Sequence, residues 1–287
     1  MQPSNISIVT TCKGRLHHIK QTLPLIVAQS PAEIILVDYA CPDNVGDWVA
    51  NHYPSVIVVR VDDDEGFCAA RARNFGAKLA TSPWIFFIDA DIQVAADLFI
   101  WMQVNLDQRF FYRAGKEEGS RKRDTWGSFI CARKIFEAVS GYDEVFRGWG
   151  GEDDDMYRRL SYFGLIEAEY PGEFVTPIEH DDVERLNFYT VKERSTHHCI
   201  NYFYIEAKMQ MMAIHGRRQQ PPLQIRLDIM QQVTTNILRW ADGKTNELPS
   251  VSFSIQKFGW LPEPYKMRKD INFTLTMELN AGNEVAE

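Results

Sequence analysis

Apolar runs of strand length alternate with stripes of helical spacing through the first hundred or so residues. "ISIVTT" from Ile6 is β-branched and ends in polar residues, so it predicts a core strand. In "RLHHIKQTLPLIVAQ", Leu16, Ile19, Leu23 and Ile26 recur three and four apart, which predicts a helix. "EIILVDYACPD" predicts a second buried strand ending at Asp38, "DWVANHY" a short helix and "SVIVVRVDD" a third strand. "GFCAARARNFGAKLA" predicts an alanine-rich helix suited to close packing. "PWIFFIDADIQV" predicts a fourth strand that breaks off at Asp89 and Asp91. Such alternation builds a mostly parallel, Rossmann-like α/β sheet with helices on both faces. Ligands bind beyond the carboxyl ends of such strands. Thr10 and Thr11, Asp38, and the pair Asp89 and Asp91 all fall there.

The pattern then changes. "RAGKEEGSRKRD" from Arg113 is charge-dense without apolar periodicity, which predicts an exposed, mobile loop able to order over a ligand. "GSFICARKIFEAVSGYDEVF" predicts a strand, a helix and a turn. "EDDDMYRRLSYFG" predicts a helix with Met156, Leu160 and Phe163 as its buried stripe and Gly164 as its stop. "IEAEYPGEFVTPIEH" is strand-like. From about Thr190 helices dominate, notably the amphipathic "IRLDIMQQVTTNILRWADG". The expected organisation is one domain over 1–190, in two halves, 1–100 and 101–190, and a mostly helical extension over 191–287.

Composition narrows the classes. A hydrophobic share of 45% and an aromatic share of 12% in 287 residues are ample for a packed core. The net charge of −8 argues against a nucleic-acid partner gripped through its phosphates. The five cysteines are scattered and form no CxxC pair, so neither a zinc cage nor a disulfide framework is expected. A reducing, cytoplasmic setting fits best. No apolar run approaches the ~20 residues of a membrane span, so the expected protein is soluble or peripheral to a membrane. For the latter, the amphipathic helix and "KMRK" are the candidate contacts.

Candidate chemistry centres on acids. Asp89 and Asp91 are two apart and share one side of a strand if it persists. Paired carboxylates suit a hard divalent cation such as Mg²⁺ or Mn²⁺. "GWGGEDDD", Gly148 to Asp155, is less easily explained. Acids in a first helical turn complement the helix dipole, but that does not account for Trp149 or the glycine pair. Glycines permit close backbone approach to a ligand, and a tryptophan face suits the C–H face of a sugar. A carboxylate held ionised at a helix N-terminus can take a hydroxyl proton. Together these features predict a sugar site with a general base. Arg71 and Arg73 are candidates for a diphosphate. On a helix they diverge by about 200°, so one of the two at most is expected there, and Arg71 is preferred.

"GWGGEDDD" resembles the signature of the beta-1,4-galactosyltransferase family. "ARNFGAKLA" followed by "PWIFFIDADI" is similar to the donor-binding half of the family 2 glycosyltransferases. The resemblance runs from about Ile6 to about Arg185. It implies a GT-A fold and a nucleotide-sugar donor held through Mn²⁺ or a similar ion. By position it implies that Asp91 binds the metal, Asp89 the nucleotide sugar and Glu152 the donor sugar. It makes Asp153 the base, Asp154 an acceptor ligand and Trp149 a stacking surface. His180, in "PIEHDD", matches the histidine that completes the metal site, and Asp38 the acid near the nucleoside. The implied reaction moves a hexose or N-acetylhexosamine, galactose-type favoured, from a UDP-sugar to a hydroxyl of a glycan, glycolipid or glycoprotein, with inversion. The alternatives are a retaining transferase of the GalNAc-transferase type, which carries a similar tryptophan–glycine–glycine stretch without the consecutive aspartates, and a sugar-binding module that has lost catalysis. The chain departs from the galactosyltransferase pattern in lacking an anchor or stem and secreted-type disulfides, so a cytosolic, bacterial-type relative is expected.

Overall fold

The computed structural model describes residues 4–116, 119–121 and 123–279. The chain divides into two compact units, 1–192 and 193–287. In the first, strands and helices alternate as β1 (Ser4–Cys12), α1 (Leu16–Val27), β2 (Pro31–Asp38), α2 (Val45–His52), β3 (Ile57–Arg60), α3 (Ala69–Leu79) and β4 (Trp84–Asp89). Then come β5 (Ile92–Val94), α4 (Ala96–Asn105), β6 (Phe110–Ala114), β7 (Phe129–Ala132) and α5 (Arg133–Ala138). The unit finishes with α6 (Glu152–Phe163), β8 (Ile166–Tyr170), β9 (Val175–Pro177) and α7 (Asp182–Leu186).

The main sheet has seven strands in the order β3-β2-β1-β4-β7-β6-β8. Only β7 runs against its neighbours; the pairings of β1 with β2 and β4, of β2 with β3 and of β6 with β8 are parallel. Successive residues point to opposite faces. Ile8, Leu36, Phe86 and Ile130 therefore enter one core, and Val9, Val37, Phe87 and Phe129 the other. The alanine-rich helix packs as closely as its composition suggests. A Cβ added at Gly76 of α3 would lie 2.4 Å from Val9 of β1.

Two local details refine the sequence-based picture. The fourth strand does not persist through "DAD": β4 stops at Asp89, and Ile92–Val94 pairs with β9 in a separate two-stranded sheet. Asp89 and Asp91 therefore belong to different local structures rather than one face of one strand. The charge-dense "RAGKEEGSRKRD" is partly built into the sheet. Arg113 and Ala114 end β6, and the Arg121 guanidinium donates to the Ala114 carbonyl, Glu167 and Glu169, leaving its side chain 4% exposed. Glu117, Glu118 and Lys122 of that stretch lie outside the described residues.

The second unit holds α8 (Arg194–His215), α9 (Leu223–Ala241) and a hairpin of β10 (Ser250–Trp260) and β11 (Lys266–Thr276). Ile229, Val233 and Ile237 of α9 are buried in packing, while Leu223, Ile225 and Leu227 in its first turns are exposed. The hairpin is an addition to the helical expectation. Its buried Val251, Phe253 and Ile255 alternate with serines, a period of two that marks a strand with one covered face. "KMRK" is the start of β11, not a tail beyond a helix.

Candidate active site

Gly150 and Gly151 adopt left-handed backbone angles, φ 76° and 87°, which turn the chain sharply into α6. The four acids that follow do not fan into water. Glu152 Oε1 accepts from Arg73 Nη1 at 2.9 Å. Asp153 Oδ1 accepts from the same nitrogen and from the Tyr142 hydroxyl, both at 3.2 Å. Asp154 Oδ1 accepts from the Trp126 indole N–H at 2.9 Å. Asp155 accepts from Arg159 Nε at 2.7 Å, one turn along α6, and both side chains are fully buried. Each carboxylate thus has a cation or donor, with Arg73 shared between Glu152 and Asp153, which offsets the repulsion within the turn.

Arg73 also donates through Nη2 to Asp89 Oδ1 at 2.7 Å, so one buried guanidinium gathers three carboxylates from β4 and α6. Arg71, the arginine preferred from the sequence for a diphosphate, donates instead to Asp63 at 2.6 Å and pairs with Asp64 at 3.5 Å. The helical divergence that separates the two arginines sends Arg73, not Arg71, among the acids. Gly127 closes the cluster from the loop before β7. A Cβ there would lie 2.5 Å from Asp89 Oδ2 and 2.6 Å from Arg73 Nη2.

Asp91 meets a second set of groups. Its Oδ2 lies 2.6 Å from His180 Nε2, although 89 residues separate the two. Arg15 Nη1 stands 3.2 Å from that oxygen and 2.9 Å from that nitrogen. His180 Nε2 cannot donate to Asp91 and accept from Arg15 at the same time, so the group holds one contact too many for its protons. Asp91 Oδ1 is buried without a hydrogen-bond partner. An orphaned carboxylate oxygen, an imidazole nitrogen and a guanidinium lodged against both fit a divalent cation of the Mn²⁺ or Mg²⁺ type. They offer one oxygen and one nitrogen ligand, with the remaining positions left to a diphosphate and water.

The other predicted residues are less central. Thr10 and Thr11 are buried at the end of β1, with Thr11 in register with Asp89. Asp38 closes its own loop, accepting from the backbone N–H of Cys41 at 2.9 Å and of Gly46 at 3.0 Å. Trp149 is half-buried, with the Arg185 guanidinium 6.0 Å from its ring. Trp126 was not anticipated. It is 41% exposed, and its ring lies 4.2 Å from the Arg113 guanidinium, which in turn lies 3.9 Å from the Tyr157 ring. Tyr157 also donates to the Trp126 carbonyl at 2.6 Å. Arg15 and Tyr142 were likewise missed. Arg15 carried a visible signal, a cation just past the end of the first strand; Tyr142 and Trp126 sit in turns that no periodicity marks.

Burial pushes the Asp153 carboxyl up to about 8; Arg73 opposes this, and Glu152, Asp89 and Asp154 add to it. We side with the upward direction despite the arginine, because that one cation is shared among three acids. Burial works to raise Asp91 as well, but the hydrogen bond to His180 and the charge of Arg15 hold it below the usual carboxylate range. His18, beside this pair, is lowered to about 4 by burial and by His17 and Arg15.

Two family models tile this unit: Glycosyl transferase family 2 over residues 7–127, and N-terminal domain of galactosyltransferase over residues 117–181. The fold is of the GT-A type, and the matched segments are similar to glycosyltransferases. The chain is similar to beta-1,4-galactosyltransferase 2 of Mus musculus, with 30% identity over 127 residues covering 38% of this chain and 32% of the relative. It is also similar to beta-1,4-galactosyltransferase 5 of Danio rerio, with 34% identity over 67 residues, 22% of this chain and 18% of the relative. The chain thus spans about a third or less of these relatives. In fold it is similar to GalNAc-T7 solved with UDP, GalNAc and Mn²⁺ (TM-score 0.56, 15% identity, 85% of this chain and 57% of that one). It is also similar in fold to the mannosyltransferase PcManGT of Pyrobaculum calidifontis with GDP-Man and Mn²⁺ (TM-score 0.52, 15% identity, 86% and 77%).

Proposed function

We propose that the protein is a metal-dependent inverting transferase that moves a hexose or N-acetylhexosamine, galactose-type favoured, from a UDP-sugar to a hydroxyl of a glycan or glycoconjugate. The observation that carries this is the convergence of Asp91 and His180 at 2.6 Å beside an unpartnered carboxylate oxygen, at the carboxyl edge of the sheet. Two fold neighbours were solved with nucleotide sugars or their parts and Mn²⁺, which supports the same ligand class here. When bound, Mn²⁺ or Mg²⁺ supplies positive charge to the departing diphosphate. Arg15, at the start of α1, adds a fixed cation next to it.

The residues of the chain supply the rest. Glu152, fixed by Arg73, holds the donor sugar. Asp153 accepts the acceptor's proton while its oxygen bonds to the anomeric carbon and the bond to UDP breaks, which inverts that carbon. Its Oδ1 is occupied by Arg73 and Tyr142, and its Oδ2 makes no hydrogen bond among the described residues. Asp154 and the exposed face of Trp126 line an acceptor platform, with Arg113 stiffening the indole from the other side.

The test is a screen of UDP-sugars for Mn²⁺-dependent release of UDP, since slow hydrolysis needs no acceptor. We expect one or two donors to be cleaved, a chelator to stop it, and Asp91→Ala to abolish metal-dependent UDP-sugar binding in calorimetry. Unchanged affinity in Asp91→Ala would remove Asp91 from the site. For partners we propose a glycan, glycolipid or glycoprotein acceptor, and peripheral contact with a membrane through the tip of the β10–β11 hairpin. Among the described residues no helix is long and apolar enough to cross a membrane.

A further inference from the structure

α1 and the stretch after His180 border a cleft of about 680 Å³. Its lining includes His17, His18, Glu179, His180, Asp181 and Glu184. Acids and imidazoles thus face the same space. Within it, one ligand atom each from His17, His18 and Glu184 lie within 4.8 Å of one another. His17 Nε2 is 3.0 Å and His18 Nδ1 3.9 Å from Glu184 Oε1. The His18 side chain is 3% exposed, yet among the described residues its Nδ1 makes no hydrogen bond, and neither does Glu184 Oε1. Arg15 Nε lies 3.6 Å from that oxygen, and Asp91 also acts on His18.

A buried imidazole nitrogen without a hydrogen bond is costly unless something takes its lone pair. Two imidazoles and a carboxylate with an opening toward solvent match three protein ligands plus water around zinc. Imidazole suits zinc and its neighbours in the transition series, whereas Mg²⁺ and Mn²⁺ prefer oxygen. The atoms must contract to roughly 2.0–2.2 Å from the ion. His17, whose side chain is 56% exposed, is free to make that adjustment by rotation.

We propose that His17, His18 and Glu184 form a transition-metal site of the zinc class, separate from the Asp91–His180 pair, which fastens α7 to α1. His17 and His18 lie in the first turn of α1, and Glu184 lies within α7, four residues after His180. A bound ion therefore fixes the segment that carries His180. The His18 and His180 rings are 5.5 Å apart, so the two sites adjoin without sharing a ligand.

The experiment uses the untagged, chelator-stripped full chain, with Zn²⁺ followed by calorimetry and Co²⁺ by its visible absorption, which reports a tetrahedral nitrogen and oxygen field. Asp91→Asn should still take one equivalent of either metal. Adding His17→Ala or Glu184→Gln in that background should weaken binding by more than the 10–100-fold typical of losing an outer-shell partner and remove the Co²⁺ spectrum. Zn²⁺ should also slow protease cleavage of the 178–187 segment in Asp91→Asn and not in the double variants. Urea midpoints of the metal-free proteins check folding, and the near-isosteric Glu184→Gln guards against loss of fold in His17→Ala. Full affinity in both double variants, or loss of all binding in Asp91→Asn alone, overturns the proposal. Neither outcome bears on whether UDP-sugars are cleaved.

Discussion

Asp153 is where the residue scale decides the chemistry. A base must be ionised to act, and its upward shift to about 8 delays ionisation. Under donor-saturating conditions the transfer rate should therefore climb with pH above the ordinary carboxylate range, levelling off near that value. Asp153→Asn should remove the limb and cost 10²–10⁴-fold in rate, roughly 3–5 kcal/mol of barrier, while donor and metal still bind. A loss of less than tenfold would reject Asp153 as the base and favour retention. The same shift has a stability consequence of definite sign. Between the unfolded carboxylate value and about 8 the folded chain binds the proton more tightly, so stability falls as pH rises across that window. Asp153→Asn should accordingly raise the urea midpoint at neutral pH, a gain in stability alongside a loss of activity. Gly127→Ala addresses the same cluster sterically. Its methyl would meet Asp89 and Arg73, the latter held by three hydrogen bonds, so we expect donor binding to fall with little change in far-UV circular dichroism.

At the scale of elements, the position of α6 governs the site, and a buried pair fixes that position. Asp155 is bonded to Arg159, and Arg159 Nη1 reaches the Val139 carbonyl at 2.7 Å just past α5. Arg159→Met should take from the buried Asp155 the guanidinium bonded to it, and removing one partner of a buried pair costs about 3–5 kcal/mol. Equilibrium urea unfolding measures it; a loss below about 1 kcal/mol would mean that the pair does not anchor the helix. These elements were only partly legible in advance. The apolar runs of β1, β2 and β4 and the stripes of α1 and α3 were plain, because burial on both faces or one face imposes period and composition. The end of β4 at the aspartates was legible too, but not the change of sheet after them, since "IQV" reads as a continuation of the same apolar run. Arg113 and Arg121 read as solvated loop charges because their partners, Glu167 and Glu169, lie on a strand some fifty residues further on. The acids of "GWGGEDDD" stood out by their density, but the arginine that gathers two of them with Asp89 sits on α3, where alternation with alanine made it look like surface.

For the whole molecule, the balance of charge and exposure differs from place to place. The chain carries a net charge of −8, yet the end of the β10–β11 hairpin is basic and aromatic. Phe258, Trp260 and Tyr265 are 53%, 85% and 71% exposed, with Met267 at 52% beside them. Lys257 and Lys269 face each other across the strands, as do Phe258 and Arg268, and Trp260 and Lys266. Glu263 and Asp270 are the nearby acids, and Arg268 is bonded to Asp270 at 3.0 Å, so the local charge remains positive. Aromatic side chains favour the membrane–water interface, and each Lys or Arg near an anionic surface contributes about 1 kcal/mol. An exposed apolar tip ringed by cations is thus complementary to an anionic lipid surface. We expect the full chain to float with vesicles containing anionic lipid at low salt, and to be released as salt rises and the Debye length shrinks. Trp260→Ala with Tyr265→Ala should abolish flotation without altering cleavage of a soluble UDP-sugar, because the two residues belong to the second unit and the acid cluster to the first. Flotation with uncharged vesicles to the same extent would mean that the cations do not matter. No co-migration at any salt concentration would retire the membrane contact and leave the tip as a surface for protein.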